Sequence, residues 1–211
     1  MQTYIYMVRH GDSPKTEGNE WTRGLTDRGK ADAKRITELL AEEGIEVFVS
    51  SPYQRAILTI EESARSAGQE VQLFEGLKER VFLNEDSRMP DKELYPLLEQ
   101  SFADPTFALA GGESNAECQN RAIAVLKQLL TSYRGRKIAL GTHGAVMALM
   151  MGHYDSHYDL DFLWNASKPD VYRMAFNGQE LVGVKRLWHS TKEEVSTHVP
   201  AEDEGNGQQR H

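Results

Sequence analysis

The chain has 211 residues, with 24 Lys and Arg against 32 Asp and Glu, for a formal net charge of −8 at pH 7. That length suits one large domain, or a core domain carrying an insertion, and the charge argues against nucleic acid or an anionic membrane as partner. No apolar run reaches a membrane span, no secretory signal is visible at the N-terminus, and a lone cysteine, Cys118, excludes an internal disulfide and fits a reducing, cytoplasmic compartment.

Tyr4 to Val8 form an apolar, aromatic and β-branched run that reads as a buried strand, and Arg9-His10-Gly11 follows at once. A strand whose carboxyl end stops there sets a fixed cation beside an imidazole at the sheet edge, where open α/β sheets bind ligands. Asp12 to Arg23 reads as a loop in which Trp21 is either a pocket wall or a ring packed on the core edge. Thr26 is a good N-cap for a helix whose inner face is Ala33, Ile36, Leu39 and Leu40, with Gly44 as its stop.

Ile45 to Val49 reads as a second strand, and Ser50-Ser51-Pro52 as the start of a helix with Pro52 in its first turn. Arg55 falls close to that helix N-terminus, where a cation is electrostatically disfavoured. A bound anion would offset it. Val71 to Phe74 is a third strand candidate, and Gly76-Leu77-Lys78-Glu79-Arg80 follows. Between Val81 and Gly112 the pattern weakens around a short helix at Asp91–Gln100, which marks an insertion or cap. Ser114-Asn115-Ala116-Glu117 is a capping-box pattern opening a helix through Leu130.

Lys137 to Gly141 is a fourth strand that delivers Thr142-His143-Gly144 to the start of an apolar helix, repeating the arrangement around His10. Val171–Phe176 and Leu181–Leu187 flank Asn177-Gly178, a strong hairpin signal. The expected fold is α/β: a three-layer α/β/α sandwich with a mostly parallel central sheet, a C-terminal hairpin and a small cap. We expect one domain at 1–189, the cap at about 81–112, and an acidic, disordered tail at 190–211. His153 and His157 have the i,i+4 spacing of some metal ligands, but Gly152 and the polar residues around them indicate a solvated helix end.

Four segments therefore converge: Arg9-His10 and His143 at strand ends, Arg55 at a helix start and Glu79 in a loop. Two guanidiniums suit phosphate oxygens, two imidazoles supply a nucleophile and a donor, and a carboxyl group can supply a proton. Arg9-His10-Gly11, Ser50-Ser51-Pro52 with Arg55-Ala56, Leu77-Lys78-Glu79, Gly112-Glu113-Ser114 and Thr142-His143-Gly144 together resemble the ordered motifs of the histidine phosphatase superfamily, the phosphoglycerate mutase-like family. The resemblance runs from about residue 3 to about 188.

It implies that His10 is the nucleophile, that Arg9, Arg55 and His143, with Gly11 and Gly144, hold the phosphoryl group, and that Glu79 is the general acid and then base. It also implies a small phosphorylated substrate or a phosphoprotein, with no cofactor and no metal. The sequence departs from the pattern in places. Asp12-Ser13 replaces the common Glu-Thr, Thr16 stands where an asparagine is frequent, and Arg80-Val81-Phe82-Leu83-Asn84 replaces the usual run after the acid. Glu75 and Glu85 are thus local alternatives to Glu79. The basic mutase signature after the acid is absent, which favours a phosphatase over a cofactor-dependent mutase. A catalytically silent phospho-ligand binder would not require both histidines.

Overall fold

Along the first strand, β1 (Gln2–Arg9), side chains alternate between two cores. Ile5 and Met7 enter one cluster, with Val47, Val49, Ile138, Leu140, Leu126 and Met147. Tyr6 and Val8 enter the other, with Phe48, Ala139, Ile36, Leu40 and Ile60. The period of two in a strand puts successive side chains on opposite faces, so an unbroken apolar run means burial on both sides. The computed structural model describes residues 1–83, 85, 86 and 89–189; the tail expected at 190–211 lies outside the described residues.

The remaining strands are β2 (Val47–Ser50), β3 (Val71–Leu73), β4 (Lys137–Thr142), β5 (Asp170–Asn177) and β6 (Glu180–Arg186). They form one six-stranded sheet in the order β3-β2-β4-β1-β5-β6. β1, β2, β3 and β4 are mutually parallel, whereas β5 and β6 form the antiparallel hairpin around Asn177-Gly178. Helices α1 (Asp27–Glu43) and α2 (Gln54–Ser66) cover the face that holds Tyr6 and Val8. Helices α4 (Asn115–Ser132) and α5 (Gly144–Gly152) cover the other. The expected three-layer α/β/α fold is present. Among the described residues no helix is long and apolar enough to cross a membrane.

Local signals act as expected at several element ends. The Thr26 hydroxyl caps α1 by accepting from Gly29 N–H, and Gly44 ends it at φ +70°. The capping box of Ser114 and Glu117 is formed at the start of α4. One start differs: α2 begins at Gln54 with Tyr53 as its cap, so Pro52 precedes the helix. Ser51 is spent differently, its hydroxyl accepting from Tyr53 N–H at 3.2 Å. Within 81–112 lies α3 (Asp91–Ala103), longer than the helix expected there. It packs Leu98 with Phe82 and with Leu163 of α6 (Leu160–Asn165).

Gly29, in the first turn of α1, has a role that helix propensity alone would not suggest. A Cβ there would lie 2.2 Å from the Asp12 carbonyl oxygen, and one on Gly11 would lie 3.0 Å from the Gly29 oxygen. The loop after His10 is therefore seated directly on the α1 backbone. An exposed helical Gly→Ala change ordinarily stabilises by up to about 1 kcal/mol. Here Gly29→Ala should instead destabilise by about 2 kcal/mol, as overpacking does. Urea unfolding beside Lys30→Ala checks this, and a gain in stability for Gly29→Ala would refute the contact.

Candidate active site

The pairing of β1 with β4 sets the site's geometry. Arg9 lies opposite Thr142 in a parallel register, so His10 and His143 leave adjacent strand ends together. The register continues past the strands: His10 N–H donates to Thr142 O at 3.0 Å, and Ser51 N–H to Gly141 O at 2.9 Å. The imidazole centroids of His10 and His143 are 5.3 Å apart. β2 delivers Ser51 and, one turn later, Arg55. Beyond β3 the chain turns through a 3-10 segment, Glu75–Leu77, to Glu79.

His10 Nδ1 is 2.6 Å from the Gly11 carbonyl oxygen. A carbonyl only accepts, so Nδ1 carries the proton and Nε2 presents a lone pair. Arg55 Nε–H lies 3.3 Å from that Nε2. Burial, then the charge of Arg55, with Lys168 and Arg23 adding to it, holds the His10 pKa well below its ordinary value. His143, fully buried, is likewise depressed, by burial and then by Arg55. Its Nε2 is 2.8 Å from Ser51 Oγ. Among the described residues, three buried side-chain polar atoms have no hydrogen-bond partner, and two are here: Arg9 Nε and His143 Nδ1.

Arg55 is fully buried, and its counter-anion is internal. The Glu20 carboxylate accepts from Arg55 Nη2 at 2.7 Å, and the Glu20 backbone carbonyl accepts from Nη1 at 2.7 Å. The expectation that a bound anion offsets this helix-start cation is thus corrected: Glu20, on the loop before α1, does so. Burial would raise the Glu20 pKa, but Arg55 and Arg23 outweigh it and hold it below the ordinary value. Burial and Arg23 pull the Arg55 guanidinium down to about 10. Breaking one partner out of a buried pair commonly costs about 3–5 kcal/mol, because the other charge stays buried.

Arg9 reaches across the strand end, its Nη1 donating to the Ala166 carbonyl at 2.7 Å. Gly144 leaves room for it, since a Cβ there would lie 2.7 Å from Arg9 Nη2. Glu79 sits at the start of α5, its carboxylate accepting from Ala145 N–H at 3.3 Å and Val146 N–H at 3.1 Å. Its loop is clamped by Arg121 of α4, which donates to the carbonyls of Gly76, Lys78 and Glu79. Glu113 holds Arg121 in turn and accepts from Val81 N–H. The Gly112-Glu113-Ser114 motif thus acts on Glu79 from behind: a Cβ on Gly112 would meet Phe82 O at 2.0 Å.

A cleft of about 850 Å³ opens over this cluster, with Arg9, His10, Glu79 and Gly144 on its surface. Arg55 and His143 lie behind it, fully buried. The Gly11 N–H donates to Thr59 Oγ1 at 3.0 Å, so this amide is already engaged within the protein. Of the alternatives to Glu79, Glu75 is not among the cleft-lining residues. Glu85 lines the cleft, but it accepts from the Tyr53 hydroxyl and is 2.9 Å from Lys78 Nζ. Thr16 is exposed. Trp21 packs on the Tyr53 ring at 5.2 Å, the core-edge alternative. His157 is exposed and pairs with Asp155. Cys118 is fully buried, and burial pushes its thiol pKa up.

Glu20, Arg23 and Arg121 are not among the residues picked from the sequence. Arg23 lines the cleft and holds Glu20 with two hydrogen bonds of 3.1 Å. The one local hint was Arg55, a helix-start cation that needed an anion.

Comparison with known proteins places this arrangement. The model of the histidine phosphatase superfamily, branch 1, matches residues 5–185. The chain belongs to this superfamily. Its fold is shared with *Bacillus stearothermophilus* YhfR, at 22% identity and a TM-score of 0.71 over 85% of this chain and 94% of that one. A mycobacterial glucosyl-3-phosphoglycerate phosphatase bound to inorganic phosphate aligns at 20% identity, TM-score 0.69, over 89% and 97%. An *Entamoeba histolytica* phosphoserine phosphatase aligns at 20% identity, TM-score 0.69, over 86% and 96%. At these identities the likeness is one of fold.

The two buried imidazoles, His10 and His143, carry a stability consequence. Unfolding returns both imidazoles to about 6.5. Below that pH the unfolded chain therefore binds up to about two protons that the folded site refuses. Stability should fall as pH drops through this window, by up to ~2.7 kcal/mol per pH unit for the pair. His157, whose pKa Asp155 raises, acts in the opposite direction. The informative comparison is thus with His143→Asn, which should lose about half the slope in urea unfolding between pH 7.5 and 5.5. Equal slopes would contradict the buried neutral pair.

Proposed function

We propose that this protein is a metal-independent phosphomonoester hydrolase that passes the phosphoryl group through Nε2 of His10 to water. The observation that carries the reading is the state of His10. Its Nδ1–H is committed to Gly11 O, its pKa is depressed, and the Nε2 lone pair meets the Arg55 guanidinium behind the cleft that His10 lines. A neutral imidazole that keeps a lone pair, with a fixed cation beside it, suits attack on an anionic phosphorus centre.

In the first step His10 Nε2 forms a bond to phosphorus as the ester P–O bond breaks in line. Glu79 gives its proton to the departing oxygen. In the second step water attacks phosphorus, Glu79 takes the water's proton, and the N–P bond breaks to release phosphate. Covalent capture divides one hard displacement into two easier ones, and the rest of the work is positioning and charge stabilisation. Arg9 and Arg55 supply the positive charge that a metal would otherwise bring.

His143 supplies a donor in this scheme. Ser51 Oγ accepts from Tyr53 N–H, which leaves its own hydrogen free to donate to His143 Nε2. Nδ1 then carries the proton, and that atom is one of the buried orphans, as is Arg9 Nε. A phosphoryl oxygen would satisfy such donors, and an unsatisfied buried donor costs about 1–3 kcal/mol. The long Arg55–His10 contact of 3.3 Å is the one that the incoming phosphoryl group replaces. Phe82 and α3, within the cap expected at about 81–112, meet the leaving group.

Hydrolysis of p-nitrophenyl phosphate and of an alkyl phosphate, with and without EDTA, tests this. His10→Ala should remove activity on both by at least ~10³-fold, and EDTA should change neither. Glu79→Gln should slow the alkyl ester by ~10²-fold or more, and the nitrophenyl ester much less, because nitrophenolate departs without a proton. Activity lost to EDTA, or equal effects of Glu79→Gln on both esters, would overturn the scheme.

A further inference from the structure

The cleft is much larger than a phosphoryl group, and its walls differ in chemistry. A volume of about 850 Å³ falls in the range that encloses a whole small organic ligand. One wall carries charge: Lys15 pairs with Asp91 at 2.9 Å, and Arg35 with Asp32 at 3.1 Å. The lining from α3, α6 and the chain after Glu79 mixes charged side chains, Arg80, Asp91 and Glu93, with an apolar group. Its floor is Phe82, Leu98 and Leu163, packed with Ala145 at the start of α5 beside Glu79.

The exposed part of that apolar group is out of keeping with the rest of the surface. Among the described residues six large hydrophobic side chains are exposed, and three of them, Leu83, Tyr95 and Trp164, line this cleft. Tyr95 and Trp164 come from different helices and meet edge to face, with centroids 4.9 Å apart at 67°. Both rings stay largely open to solvent, at 46% and 41%. Exposed apolar side chains grouped in a concave site mark ligand contact. Paired rings offer π-faces and edges to a further ring at little conformational cost.

We propose that the phosphomonoester taken by this site carries an aromatic leaving group, whose ring rests on Tyr95 and Trp164 while its phosphoryl group reaches His10. The inference rests on the phosphatase reading for its orientation and identifies the substrate class of that same site. A short alkyl leaving group would leave both rings in water. An aromatic one covers them and extends the apolar floor of Phe82 and Leu163 outward to the rim. The charged side chains that share the cleft, Lys15, Asp32, Arg35 and Asp91, then meet the polar substituents of the same molecule.

The test separates ring recognition from leaving-group chemistry. Calorimetry on the full chain compares methylphosphonate, 2-phenylethylphosphonate and n-butylphosphonate, none of which can be turned over. Hydrolysis of 2-phenylethyl phosphate and n-butyl phosphate, both esters of primary alcohols, is then measured in parallel. The phenylethyl phosphonate should bind about tenfold more tightly than the butyl compound, and kcat/KM should favour the phenylethyl ester by a similar factor. Tyr95→Ala and Trp164→Ala should each cut these ratios to about threefold or less. Phenylethyl-to-butyl ratios near one in the unaltered protein would overturn the proposal, as would ratios that survive both substitutions. Absence of hydrolysis with phenylethyl-selective phosphonate binding would overturn the phosphatase reading and leave the ring site standing.

Discussion

The parallel pairing of β1 with β4 is the constraint on which the rest of the site depends. With Arg9 opposite Thr142, two strand ends separated by more than 130 residues of chain release a histidine each into the same space. A shift of one residue in that register would turn every side chain of one strand to the opposite face. It would move Ile5 and Met7 out of one core and Tyr6 and Val8 out of the other. The hydrophobic alternation that stabilises the sheet thus also fixes the spacing of the two imidazoles. Chemistry and packing are specified by the same residues.

Around that pair the protein manages a difficult electrostatic problem. A guanidinium with no solvent exposure sits against two neutral histidines, and Glu20 makes this tolerable. Burial and the same cation depress both imidazoles, which keeps a lone pair on His10 Nε2. The second half of the site is built from behind. Arg121 and Glu113 hold the carbonyls and amides flanking Glu79, while Ala145 and Val146 N–H groups hold its carboxylate. Rigid supports of this kind would serve the proposed reaction, which consists largely of positioning.

Much of this was legible in the amino-acid sequence because it is local. The alternation in Tyr4–Val8, the Thr26 cap, the Ser114 capping box and the Asn177-Gly178 turn each fall within a few residues of chain, and the structure has all four. The positions of Arg9, His10, Arg55, Glu79 and His143 also followed from element ends. What escaped were partners brought together over long stretches of chain. Glu20 lies 35 residues before Arg55, and Arg121 lies 42 after Glu79; each looks like an ordinary charge on a loop or helix. Gly29 did leave a trace, a glycine in the first turn of an otherwise well-capped helix. The partner of the Gly11 amide escaped for the same reason: Thr59 belongs to α2.

The central claim is that His10 Nε2 bonds to phosphorus during turnover, and capture of that adduct tests it most directly. The protein would be mixed with phosphomonoester for milliseconds, quenched in alkaline denaturant to preserve phosphoramidates, and digested for mass spectrometry. The account predicts a phosphoryl group on the peptide containing His10, stable in alkali, lost in acid and absent from His10→Ala. Turnover that proceeds with no such adduct, in the unaltered protein and in a Glu79→Gln variant slowed at breakdown, would contradict it.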